Sequence, residues 1–190
     1  MRVLFMSLAE ASAVASLAAG QHKPGDTPVE YKAKVNVDIT LGDVAATLIV
    51  HVASYTVDLD RATLLSALRS NGYQAFLPAF RKVPIVGYVQ IKDQKWNLRW
   101  AQQQPREQRQ LVTAATDDPI YFVGGGSANA KPRAGYEMAV IRLDLDASGR
   151  GTGTFAPAAR VKPTNDATSV EVVDYAGEPL KLTSVTRSFP

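Results

Sequence analysis

The chain contains no cysteine. Disulfide scaffolds, thiol nucleophiles and thiolate metal sites are therefore excluded from the start. Histidine is nearly absent as well, with two in 190 residues, His22 and His51. A His-rich metal centre cannot be assembled from these, and a Ser-His-acid triad has almost no base to draw on. Charge of one sign is scarce: 21 Lys and Arg face 18 Asp and Glu, leaving +3. A dedicated nucleic-acid binder carries a far larger excess, so no nucleic-acid partner is expected. No stretch reaches the 18 or so consecutive apolar residues that span a bilayer as a helix, so no transmembrane segment is expected. Nothing calls for a cofactor.

What remains is ordinary globular composition, 46% hydrophobic and 21% charged, in a length that suits one domain. Residues 1–20, MRVLFMSLAEASAVASLAAG, combine a basic start at Arg2, an apolar stretch over Val3–Leu8 and small residues at Ala13, Ala15, Ser16 and Ala18. That is the pattern of a secretory signal peptide, although Glu10 interrupts its apolar part. Residues 21–190 are then expected to form a single β-rich domain, periplasmic or secreted, after a polar lead-in at His22–Pro28.

Period-two patterning dominates from residue 31. Ala33, Val35, Val37 and Ile39 alternate with Lys32, Lys34, Asn36 and Asp38, which predicts a strand with one wet face. Gly42-Asp43 turns the chain into a second strand over Val44–Tyr55. The period then lengthens. Asp58 or Asp60 caps a helix bearing Leu64, Leu65 and Leu68, and Asn71-Gly72 closes it. A second short helix over Tyr73–Lys82 carries Phe76, Leu77 and Phe80, with Pro78 placed awkwardly for it.

A second hairpin is expected over Val86–Ile91 and Lys95–Ala101, turning at Asp93-Gln94. Its alternation sets Trp96 and Trp100 on one face, opposite Lys95 and Arg99. Gln102–Gln108 reads as a loop because it contains Pro105. Further strands fall at 110–115, 120–123, 136–145, 151–155, 170–173 and 180–186, with turns at Thr116–Pro119, Gly124–Gly135, Asp146–Gly149 and Ala176–Pro179. The fold expected is mainly β, an antiparallel sandwich or barrel-like sheet with one helical insert at about 58–82; α+β is the alternative.

Several patterns invite chemistry. Gly124-Gly125-Gly126 lacks the Gly-Lys-Ser/Thr and the following helix of a phosphate loop, and reads as a connection between strands. Lys131 and Arg133 beside it are candidate anion contacts. Asp144–Gly149 spaces its oxygens like half a calcium loop, but Phe155 stands where the bidentate acid belongs, so it reads as a hairpin turn. Among carboxylates, Asp117, Asp118 and Asp174 are the candidate catalytic acids, with Glu178 near the last turn; solvated turn acids are the plain alternative. Lys92–Arg109 gathers five basic residues against two acids and both tryptophans. It nominates Arg99 and Arg109 as ligand contacts on a basic outer face.

The runs VGYVQI (86–91), LRWA (98–101), LVTAATDDPIYFVGG (111–125) and YEMAVIRLDLD (136–146) resemble a family of exported bacterial proteins with no established activity. So do the shorter RVKP (160–163), VDY (173–175) and PLKL (179–182). The resemblance implies export and assigns no functional residue. The function expected is a non-enzymatic binding domain for a small apolar ligand, a glycan or an envelope protein, with the 58–82 helix as lid over a pocket in the sheet's mouth. The alternatives are a periplasmic hydrolase using Asp117, Asp118 or Asp174 with Arg99 as electrostatic support, and a structural envelope protein.

Overall fold

A computed structural model describes residues 27–39, 42–120, 133–164, 170–175 and 178–190. The expected signal peptide, most of the lead-in, the triple glycine, Lys131 and all but the first residue of the strand expected at 120–123 lie outside the described residues.

Among the described residues, nine strands and one helical element follow in the order β1 (Val29–Ile39), β2 (Gly42–Val52), α1 (Asp58–Phe80), β3 (Gly87–Ile91), β4 (Gln94–Arg106), β5 (Arg109–Thr116), β6 (Met138–Leu145), β7 (Arg150–Pro163), β8 (Val170–Asp174) and β9 (Leu180–Ser188). All pairings are antiparallel. The sheet order β6-β5-β4-β3-β2-β1-β9-β7 closes on itself through β6–β7, giving an eight-stranded barrel. Closure removes the free edges that an open sheet would expose. The ninth strand, β8, continues outward: β9 pairs with β7 over Arg150–Phe155, and β8 takes over from Ala159 to Pro163.

The barrel is packed solid. Tyr31, Ala33 and Val35 point inward as the alternation of β1 requires, and they meet Leu48, Leu98, Leu143, Leu145 and Phe155, all buried. Barrels of this size have interiors that side chains fill. Core side chains thus fill the interior, while an open recess lies against Tyr55, Thr56, Gln103, Pro105 and Gln110. Polar groups that enter this interior are hydrogen-bonded: Thr116, fully buried, accepts from the Ala139 amide at 3.1 Å. The Tyr31 hydroxyl shares a hydrogen bond with the Tyr55 hydroxyl at 3.1 Å, and burial raises the Tyr31 pKa far above its ordinary 10. A group raised in the folded state stabilises fully below its unfolded pKa, near 10, and that stabilisation is lost as pH rises toward the folded value. Stability to urea should therefore fall by about 1.4 kcal/mol per pH unit above pH 10 on account of Tyr31. Tyr31→Phe should make the pH 10–11.5 slope shallower by that amount; equal slopes in the two proteins would refute the assignment.

Three differences from the sequence reading have clear causes. The helix is capped by Val57 without a side-chain bond, and Asp58 and Asp60 fall in its first turn, where acids favour the dipole. The two helices expected are both present, running on as α1 and separated at Gly72, whose φ of 67° is non-helical, as the Asn71-Gly72 stop predicts. Pro78 lies inside its second half.

Second, β4 runs on to Arg106 through Pro105, so the expected loop shrinks to Glu107-Gln108. Proline is tolerated there because it is solvent-exposed near the hairpin end, where a missing N–H leaves no central ladder bond unmade. The preceding hairpin turns at Lys92-Asp93, one residue earlier than expected, with Lys92 at positive φ.

Third, β4 carries a bulge. Leu98 pairs with Thr116 and Trp100 with Ala115, so Arg99 is an extra residue. The two tryptophans consequently part company: Trp96 packs on the barrel interior, and Trp100 on the outer wall beneath α1.

Candidate functional site

Helix α1 lies against the outside of the barrel. Leu64, Leu68, Phe76 and Phe80 face inward at helical spacing, and all four are buried. They meet the outward-facing residues of the wall, among them Ala115 of β5, Met138 and Val140 of β6 and Val161 of β7. Each such side chain contributes about 1.5–3 kcal/mol through removal from water. Phe76 stacks on Phe80 with ring centroids 5.4 Å apart. Tyr73 reaches across to accept a hydrogen bond from the Glu137 amide at 3.3 Å, tying the second half of the helix to the start of β6.

The contact between helix and wall is incomplete. A cavity of about 60 Å³ remains between them, bounded by Leu64, Phe76, Phe80, Trp100, Met138 and Val172. That is room for several water-sized groups, in surroundings that offer water almost no hydrogen-bond partners. The polar contributions come from Thr113 and Arg142 alone. These two are cross-strand partners on β5 and β6.

The sequence-nominated residues lie elsewhere. Asp117 is buried just past β5, and its Oδ2 accepts from Arg99 Nε at 2.7 Å. The same guanidinium donates from Nη1 to the Val83 carbonyl at 2.8 Å, and Arg81 donates to the Asp117 carbonyl at 3.3 Å. The structure thus brings Arg99 and Asp117 together as the clamp that ties the bulge of β4 to the segment following α1. Asp118 is exposed, 3.9 Å from Arg81. Asp174 is buried at the end of β8, cross-strand from Ala159, on a different part of the wall. Glu178 is exposed.

Arg109 pairs with Asp144 at 2.5 Å and also donates to its carbonyl. Arg133 lies over the Tyr175 ring and hydrogen-bonds its hydroxyl, while Arg160 lies over Tyr136. The basic face suggested by residues 92–109 is accordingly broken up: Arg99 and Arg109 are held by carboxylates, and Lys95 sits on the Tyr88 ring, which itself stacks on His51. Asp146 closes the β6–β7 turn by accepting from the Ser148 hydroxyl and the amides of Ser148 and Arg150. Those bonds hold its carboxyl below the usual range.

Arg142 is the residue that sequence reasoning passed over. Its signal was present, since a lone arginine interrupts the apolar alternation of Val140-Ile141-Arg142-Leu143, but nothing in the sequence placed it at the edge of a cleft. No helix among the described residues is long and apolar enough to cross a membrane. Comparison with family models, with curated proteins and with solved structures gives no match.

Proposed function

We propose that this protein is a non-enzymatic binding domain for a small apolar molecule, taken up between α1 and the outer wall of the barrel. The observation that carries the reading is the cleft itself, an unfilled apolar space bounded by Phe76, Phe80 and Trp100. Small-molecule sites are concave, mostly apolar and provided with few polar groups, and this cleft has that character in a smaller volume, about 60 Å³. The break at Gly72 adds support, because it separates the half of α1 bearing Phe76 and Phe80 from the half bearing Leu64 and Leu68. The carboxylate on which a hydrolase would first draw, Asp117, is committed to Arg99. The apolar leader sequence supports a place of action outside the cytoplasm.

The test uses the neutral dye N-phenyl-1-naphthylamine. In a Trp96→Phe background Trp100 is the sole tryptophan, so saturable binding should produce energy transfer from Trp100 to the dye. Ala115→Phe, which fills the cleft from the wall, should weaken binding at least ten-fold while leaving the circular dichroism unchanged. Absence of saturable binding, or binding indifferent to Ala115→Phe, would discard the proposal.

A further inference from the structure

Arg142 lines the cleft from the middle of β6, yet its guanidinium makes no ion pair or hydrogen bond among the described residues. Its natural partner by position is Asp144, two residues on and on the same outward face. That carboxylate is already engaged by Arg109. Across the ladder Arg142 is flanked by Thr113 on β5 and Thr154 on β7, which add hydroxyl donors rather than negative charge. An exposed, uncompensated cation therefore stands at the rim of a cavity whose walls are apolar.

We infer that the ligand is an anionic single-chain amphiphile, a carboxylate whose hydrocarbon chain enters the cleft while its head group pairs with Arg142 and the Thr113 hydroxyl. The inference rests on the proposed binding cleft and deepens it. Guanidinium and carboxylate match in shape as well as charge, since two parallel N–H donors meet two oxygens. The two ends of such a ligand also demand the two environments found here, a dry apolar cavity and an unpaired donor at its edge. A neutral alcohol of equal chain length would fill the cavity and leave the guanidinium unanswered. An alkylammonium would place like charges together.

Competition against bound N-phenyl-1-naphthylamine separates these cases. Octanoate should displace the dye at a concentration at least ten-fold lower than 1-octanol, and octylammonium should be weaker than either. Arg142→Gln should bring octanoate to the level of octanol when each is referred to that variant's own dye affinity, and Arg142→Glu should reverse the order of octanoate and octylammonium. If the dye binds but octanoate and octanol compete equally in the unmodified protein, the head-group assignment is overturned and the cleft stands. If Arg142→Gln leaves the octanoate preference intact, the anion is held elsewhere and the assignment is again overturned. If the dye itself does not bind, the cleft fails and the inference fails with it.

Discussion

Gly151→Ala is expected to lower the stability of the protein by about 3 kcal/mol, a large loss for the addition of one methyl group. Gly151 pairs with Leu145 where β7 leaves the hairpin. A Cβ built there would lie far inside van der Waals contact of the Asp144 carbonyl oxygen, and close to Leu145 Cα. Both obstacles are backbone atoms of the neighbouring strand, so no rotamer change can relieve the clash. Either β6 and β7 move apart, breaking ladder bonds on the closing seam of the barrel, or the Asp146 turn is distorted. Gly153 stands in the same relation to the Arg142 carbonyl, so the double substitution should exceed either single one. Urea midpoints measure the effect, and a change below about 1 kcal/mol would show that the seam yields more readily than close packing allows.

Arg99→Met should cost about 3 kcal/mol, for a different reason. The Arg99 and Asp117 side chains are only 20% and 13% exposed. Removing one partner leaves a largely buried charge without its counter-ion, and such losses run to several kcal/mol. Replacing both, as Arg99→Met with Asp117→Leu, should recover much of that cost, because a buried ion pair is close to break-even against apolar residues of similar size. The double-mutant cycle reads the coupling directly. A fully additive cycle would mean that the pair contributes nothing. The bulge adds a second readout. Arg99 is the extra residue that rotates Trp100 outward, so losing its anchors at Asp117 and Val83 should also shift the Trp100 fluorescence and weaken dye binding in the cleft.

The residues behind these effects were unequally visible in the sequence. Alternation in Tyr31–Val35 was enough to assign the inner and outer faces of β1, because a strand with one wet face must display a period of two. The spacing of Leu64, Leu68, Phe76 and Phe80 likewise announced a helix face in need of a partner. The same logic failed at Trp96 and Trp100. Alternation presumes an unbroken pleat, and a single inserted residue reverses every face beyond it. Gly151 and Gly153 fall in the strand expected at 151–155, but no local pattern showed that their role is to let two backbones approach on a closing seam. The acidic and basic candidates were all recognisable as charged residues, but their partners lie up to 42 positions away, as Tyr175 does from Arg133.

Taken alone, the order of residues determined that this chain forms paired strands with one helical insert, because hydrophobic period is a local property and burial enforces it locally. It also determined what the protein lacks the groups to do with thiols or histidine clusters. The tertiary structure decided that the strands close into a filled barrel, that the helix lies on its outer wall, and that the cleft is outside the barrel. It also decided that Arg142 stands without a partner among the described residues at that cleft, while Arg99 and Arg109 are spent on carboxylates. Those outcomes depend on which distant strands become neighbours, and on one extra residue in β4, and neither is written in any local pattern.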